Sequence, residues 1–267
     1  METYMWREIL IPYEQAVNEL VIKFESIVNE SRRLGTYSPI EFVTGRVKKI
    51  SSILEKAKKK QISMSYIEEE IEDIAGIRII CQFVEDIDRV VELIHKRNDM
   101  EVKYEKDYVQ NTKKSGYRSY HIIVYYNVHT ALGEKRIQAE IQIRTLAMNF
   151  WATIEHSLQY KYGHNIPVAI QNRLIRSAEA AHMLDQEMSK IRDEIMDAQN
   201  SFQYKSNIIA DILNNLQNIK KKGDDIHEVD QLQDEFYRLW EEGNLEKLVA
   251  FNKHLDNIAE VYRVQSL

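Results

Sequence analysis

Lys135-Arg-Ile-Gln-Ala-Glu-Ile-Gln-Ile-Arg144 decides the fold class. Ile137, Ala139, Ile141 and Ile143 alternate with Gln138, Glu140, Gln142 and Arg144, the period-two pattern of a strand with one face buried. Working outward, Tyr117–Asn127 reads as a second strand joined to it near Gly133, an antiparallel hairpin with a longer loop. Ile74-Ala-Gly-Ile-Arg-Ile-Ile-Cys-Gln-Phe83 and Val102–Val109 are two further strands, and 110–116 is a polar loop. Helical spacing predicts a helix over 5–33, through Ile9, Tyr13, Val17, Leu20, Phe24 and Ile27. A second is predicted over Thr44–Lys60, burying Val47, Ile50, Ile53, Leu54 and Ala57. A short acidic helix over 66–72 follows, then one capped by Asp86 and running to about Arg97. From Leu146 onward the chain reads helical, with predicted segments near 168–200, 203–222, 229–241 and 244–262, broken at Gly223 and Gly243. The expected architecture is therefore α/β (α+β): a mixed β-sheet flanked by helices, with a C-terminal all-helical extension. The expected division is 1–200 for the core domain and its flanking helices, and 201–267 for the extension.

Composition narrows the chemistry. The chain has 267 residues, 8 Gly and 3 Pro, too few turn residues for a sandwich or propeller of many short strands. No glycine pair is spaced for G-x-G-x-x-G or for a Walker A loop, so neither phosphate cradle is present. The single cysteine, Cys81, forms no internal disulfide, and no apolar run reaches the ~20 residues of a membrane helix. A cytoplasmic setting is expected. Net charge is −6, yet Thr44–Lys60 holds seven Lys/Arg against one Glu, whereas 201–267 holds eight against twelve Asp/Glu. One dense basic segment in a mildly acidic chain points to a local anion site.

Four segments carry candidate chemistry. On one helix Lys48, Ser52 and Lys56 would share a face at i, i+4 and i+8, with Arg46 near its start, a glycine-free way to bind polyphosphate. A solvated basic face would look the same. Asp73 precedes a strand that contains Arg78; the two are either a structural ion pair, or a cation ligand and a base-stacking guanidinium. In Lys113-Lys-Ser-Gly-Tyr-Arg-Ser-Tyr-His121, Tyr117, Ser119 and His121 would face one way, so Tyr117 can stack on a purine while Lys113 meets phosphate. Glu140 and Gln142 share the polar face of their strand. Asn149 and His156 share a helical stripe, with Glu155 beside His156 placed to read the donors of guanine. Two carboxylates, a basic helix and a stacking tyrosine together describe a phosphoryl-transfer site. Gly45, Gly76 and Gly116 lie beside Arg46, Arg78 and Tyr117, where each is expected to let the backbone approach a ligand or turn sharply.

Phe42-Val-Thr-Gly-Arg-Val-Lys48, Asp73-Ile-Ala-Gly-Ile-Arg78, Ser115-Gly-Tyr-Arg-Ser-Tyr-His121, Glu140-Ile-Gln-Ile-Arg-Thr145 and Asn149-Phe-Trp-Ala-Thr-Ile-Glu-His156 follow in order. Together they resemble the small alarmone synthetases, RelQ type, of the RelA/SpoT superfamily, from about Trp6 to Ala198. The resemblance implies a nucleotidyltransferase-like fold. It implies a GTP pyrophosphokinase that moves the β,γ-pyrophosphate of ATP to the ribose 3′-hydroxyl of GDP or GTP, giving (p)ppGpp and AMP. By residue, it implies that Arg46 and Arg78 sandwich adenine and that Lys48, Ser52 and Lys56 hold the ATP phosphates. Asp73 and Glu140 would bind Mg²⁺, with Glu140 also the base. Tyr117 would stack on guanine, with Lys113, His121, Gln142, Asn149 and Glu155 around the acceptor. It further implies a homotetramer. Phe42 and Thr44 match residues of an allosteric site, and pppGpp or single-stranded RNA is the candidate regulator. The corresponding basic stretch of the first helix reads Val21-Ile-Lys-Phe-Glu25, with one lysine. No histidine is followed by Asp, so a synthetase without a hydrolase partner domain is expected.

The extension lies outside the resemblance. Ile208, Ile209, Ile212, Leu213, Leu216 and Ile219 form an apolar stripe, and Phe236 to Phe251 suggests a helical hairpin. It reads either as an appendage packed within its own assembly or as a docking module. The rival functions are a nucleotidyltransferase releasing pyrophosphate and a non-catalytic sensor of guanine nucleotide or single-stranded RNA.

Overall fold

The computed structural model describes residues 2–131, 133–162, 166–222 and 226–264. By packing it divides into two units, Met1–Ser189 and Lys190–Leu267.

The first unit is built on five strands: β1 (Phe42–Val47), β2 (Ala75–Cys81), β3 (Glu101–Asp107), β4 (Tyr120–Thr130) and β5 (Gly133–Thr145). Their order is β1-β2-β5-β4-β3. Only β2 and β5 run parallel; the other neighbours are antiparallel. The helices are α1 (Glu2–Leu34), α2 (Ile50–Lys60), α3 (Ile67–Glu70), α4 (Glu85–His95), α5 (Leu146–Tyr162) and the start of α6 (Val168–Lys222).

Register sorts the sheet into two unlike faces. Ile77 pairs with Ile141 and Ile79 with Ile143, while Ile122 and Val124 lie opposite Ile141 and Ala139. All seven are essentially buried, and they form one apolar layer with Leu20 and Phe24 of α1. The opposite face carries Thr44 beside Arg78, Arg78 beside Gln142, and Gln142 beside His121. Arg46 and Glu140 flank Gly76 one step along. A mixed sheet with one face covered by α1 leaves the other free for chemistry.

Several expectations are corrected. Thr44–Lys60 is not one helix: Phe42–Val47 is an edge strand paired with β2, and the helix begins at Ile50. The acidic segment 66–72 is a 3₁₀ turn over Met64–Tyr66 followed by the short α3. Asp86 does not cap α4; the N-cap is Val84, and buried Asp86 accepts from the Phe83 N–H and from Tyr37 Oη. The helix expected to break near 200–203 continues unbroken to Lys222. Gly223 lies outside the described residues, whereas Gly243 does end α7 (Ile226–Glu242) in a left-handed conformation, φ 68°. At Gly116 the expected sharp turn is there, and at both Gly45 and Gly116 a packed helix also demands a small residue. A Cβ on Gly45 would sit 2.5 Å from Val17 of α1, and one on Gly116, at φ 87°, 2.5 Å from Ala178 of α6.

The second unit holds the rest of α6, α7 and α8 (Leu245–Val264). The apolar stripe closes a core of its own: Ile208, Ile212, Leu216 and Ile219 pack with Leu232, Phe236, Leu248, Phe251 and Leu255.

Candidate active site

Asp73 stands just before β2, at the centre of the basic residues. Its two carboxylate oxygens accept from Lys48 Nζ and Lys56 Nζ, each at 2.8 Å. Lys48 is not helical; its N–H donates to Ile74 O, which anchors it between β1 and α2. Its i, i+4 relation to Ser52 therefore fails, but Lys48 and Lys56 still converge. Ser52 and Lys56 do share a face of α2. The N-terminus of α2 has no side-chain cap and no acidic residue in its first turn, so its free N–H groups suit phosphate. Burial opposes the charged form of Asp73, but the two lysine hydrogen bonds outweigh it and hold the carboxyl below the usual range.

Arg78 forms no ion pair with Asp73 among the described residues; Lys48 and Lys56 pair with that carboxylate instead. Arg78 Nε is buried with no hydrogen-bond partner. Burial, then Arg144 and Arg46, destabilise its charge. Two arginines facing one another across β1 and β2, one with an orphaned donor, form a place where a planar, electron-rich ligand is favourable. A small pocket lies there, lined by Thr44, Gly45, Arg46, Gly76, Ile77, Arg78, Glu140 and Gln142. Phe42 and Thr44, on the same edge strand, are exposed.

The acceptor half is organised differently. Glu140 Oε1 meets His121 Nδ1 at 2.9 Å, and Oε2 accepts from Gln142 Nε2 at 2.8 Å. Burial raises the carboxyl's affinity for a proton, yet these bonds outweigh it and keep Glu140 below the usual range. Tyr117 Oη lies 2.8 Å from His121 Nε2. Lys113 Nζ sits 4.2 Å from the Tyr108 ring centroid and 4.7 Å from that of Tyr117; burial lowers its pKa. Tyr108 meets both Tyr117 and His121 edge-on, an aromatic contact missed in the sequence because nothing in its spacing marks it. On α5, Asn149 Oδ1 is buried without a partner, and burial pushes the Glu155 carboxyl up. Asp73 and Glu140 are near enough for the charge of Asp73 to raise the Glu140 pKa.

Arg144 is the other residue missed. It is 4% exposed, and it donates to Ser119 Oγ, Tyr117 Oη and Gln142 Oε1. The alternation did place it on the polar face beside Glu140, which was the available signal.

Comparison with known proteins gives the family. Residues 45–165 match the family described as the region found in RelA / SpoT proteins. The GTP pyrophosphokinase YjbM of Bacillus subtilis is 53% identical over 205 residues, 77% of this chain and 97% of that protein. A second one from the same organism, YwaC, is 39% identical over 71% of this chain and 91% of its own length. The crystal structure of small alarmone synthetase 1 from B. subtilis, bound to its product pppGpp, superposes with a TM-score of 0.69 at 54% identity, covering 72% of this chain and 98% of that one. The chain belongs to the RelA/SpoT family, among its small alarmone synthetases.

Proposed function

We propose that the polar sheet face binds ATP on its β1–β2 side and a guanine nucleotide on its β4–β5 side, and that Glu140 joins the two. The protein is a GTP pyrophosphokinase that makes (p)ppGpp. In the proposed reaction the ribose 3′-oxygen of GDP or GTP attacks the β-phosphorus of ATP. The bond from that phosphorus to the α,β-bridging oxygen breaks, and AMP leaves. Glu140 takes the 3′-hydroxyl proton. The supporting observation is its geometry: both oxygens are fixed by hydrogen bonds that favour the ionised, proton-accepting form.

Arg46 and Arg78 would take adenine between them. Lys48, Ser52, Lys56 and the open N-terminus of α2 would hold the phosphates. Tyr117 would stack on guanine, with Lys113, His121, Gln142, Asn149 and Glu155 around the acceptor; Asn149 Oδ1 is an acceptor with no partner of its own. Such catalysis rests on positioning and charge neutralisation.

The family works with a divalent metal, and Mg²⁺ is the ion proposed here. Among the described residues no cluster of three or more His, Cys, Asp or Glu could hold a metal. Two carboxylates, Asp73 and Glu140, nevertheless fit an ion that normally takes one or two carboxylates and completes its shell with phosphate and water. When bound it would neutralise charge on the transferring phosphates. Lys48 and Lys56, which donate to Asp73, would then turn to phosphate.

A homotetramer in the cytoplasm is part of the proposal; no helix among the described residues is long and apolar enough to cross a membrane. Exposed Phe42 and Thr44 are the proposed allosteric contacts. Strong activation by pppGpp is not expected, because the one lysine of the matching helical stretch, Lys23, is paired with Asp99 at 2.6 Å. Incubation with Mg²⁺, ATP and GDP, followed by nucleotide chromatography, tests the activity. AMP and a more highly phosphorylated guanosine nucleotide should appear together. Release of inorganic pyrophosphate instead would mark nucleotidyl transfer and overturn the proposal.

A further inference from the structure

Arg144 is a buried guanidinium none of whose hydrogen-bond partners is a carboxylate. An isolated buried charge is costly, so its position calls for a reason. The bonds around it close into a ring. A single nitrogen, Nη2, donates to Tyr117 Oη at 2.6 Å and to Gln142 Oε1 at 2.7 Å. Gln142 Nε2 donates onward to Glu140 Oε2. On the other arm the carboxylate of Glu140 only accepts, so His121 Nδ1 carries the proton between them. Tyr117 Oη meets His121 Nε2 at 2.8 Å and accepts from Arg144. Two separate arms therefore run from Arg144 to Glu140, one through Tyr117 and His121 and one through Gln142. Nε, bonded to Ser119 Oγ, holds the guanidinium plane against the start of β4.

We propose that Arg144 is a positioning residue for the transfer, fixing through Tyr117–His121 and through Gln142 both the Glu140 carboxylate and the ring of Tyr117. This rests on the reading of Glu140 as base. Arg144 is 4% exposed, and its hydrogen bonds go to Ser119, Tyr117 and Gln142 and not to Glu140 directly. It reaches Glu140 through Tyr117–His121 and through Gln142, and polarised chains of this kind can exceed the sum of their bonds. A lysine keeps the charge but cannot donate in the same planar fork.

The test is a double-mutant cycle between Arg144→Lys and Tyr117→Phe, with kcat and KM for ATP and GDP measured for each. Tyr117→Phe keeps the ring for stacking and deletes only the oxygen that links Arg144 to His121. Each single variant should lose kcat with KM for ATP within about twofold, and Arg144→Lys should lose about 10²-fold, the scale of an ångström-level misplacement. The double variant should be clearly less impaired than the product of the two single losses, because both break one arm. Losses that multiply, or a loss in Arg144→Lys confined to KM, would overturn the proposal. If Arg144→Lys fails to fold, as its thermal melt would show, Tyr117→Phe and Gln142→Glu measured singly keep the question open to disproof: each cuts one arm, a lowered kcat in both is expected, and an unchanged kcat in either would contradict the proposal. Glu140→Gln run alongside separates the two readings. If it keeps near-normal turnover, the base assignment fails. If it is inactive while the cycle is multiplicative, only the role of Arg144 fails.

Discussion

The β1–β2 and β4–β5 halves of one sheet face hold their carboxylates by different means. Asp73 is gripped by two flexible ammonium groups, Lys48 and Lys56, each on a long stem. Glu140 is gripped by His121 and Gln142, two short side chains whose directions are set by Tyr117 and Arg144. On the proposed function the first arrangement is an exchangeable charge balance, in which an incoming triphosphate and its metal would replace each lysine–carboxylate bond, and the second is a fixed geometry that the acceptor would complete. A site proposed to admit a highly charged donor and to aim one oxygen of an acceptor would need both.

The comparison breaks hardest at Glu140. Glu140→Gln removes the base and should cut kcat by about 10³-fold or more, within or beyond the usual range for general-base catalysis. GDP binding, followed by calorimetry, should persist; near-normal turnover would sink the assignment. Asp73→Asn acts on the exchangeable half. It should lower turnover on the order of 10²-fold at limiting Mg²⁺, since several kcal/mol of charge stabilisation are at stake, with partial recovery as the metal is raised. A Mg²⁺ titration checks this, and an unchanged titration curve would contradict it. Tyr117→Ala should raise KM for GDP by about 10-fold, in line with ~1–3 kcal/mol per stacked base, while KM for ATP stays put.

The smallest effect is one of stability. Asp185 of α6 is buried beside Thr145, which donates to it at 2.7 Å, and Arg118 and Glu85 also act on it. Burial pushes its carboxyl up to about 6. Its folded pKa thus lies above the unfolded value of 3.8, so the charged form is disfavoured in the folded state. The molecule gains stability as pH falls through about 6 toward 4 and lacks that gain above it. Asp185→Asn should therefore stabilise the fold by up to about 2 kcal/mol at pH 8 and by little at pH 4. Thermal melts at the two pH values decide it; equal shifts at both would count against the account.

The halves also differ in how legible they were. The polar face of β5 could be read directly, because strict alternation from Ile137 to Arg144 leaves one register that buries the isoleucines. β1 could not. As an edge strand it buries only Val43, and its Val47 continues the helical spacing of Ile50, Ile53 and Ala57, so one helix seemed to start at Thr44. The β-forming Phe42-Val-Thr and a glycine at 45 were the contrary signal. Lys48 and Lys56 were paired in the sequence by a helical spacing that does not exist; they meet because both reach Asp73. Arg144 was visible as a polar-face residue, but its role depends on Tyr117 and Ser119 from a distant stretch of chain as well as on Gln142 of its own strand. Pairing of that kind is set by tertiary register and not by local pattern. The C-terminal unit sits at the other extreme: its stripe from Ile208 to Ile219 was plain, and so was its helical partner.

The most direct test of pyrophosphate transfer follows phosphorus. ATP labelled with ³²P at the β-position, and separately at the α-position, is incubated with the protein, Mg²⁺ and GDP. The account requires the β-label in the guanosine product and the α-label in AMP. An α-label in the guanosine product, with the β-label in inorganic pyrophosphate, would contradict it.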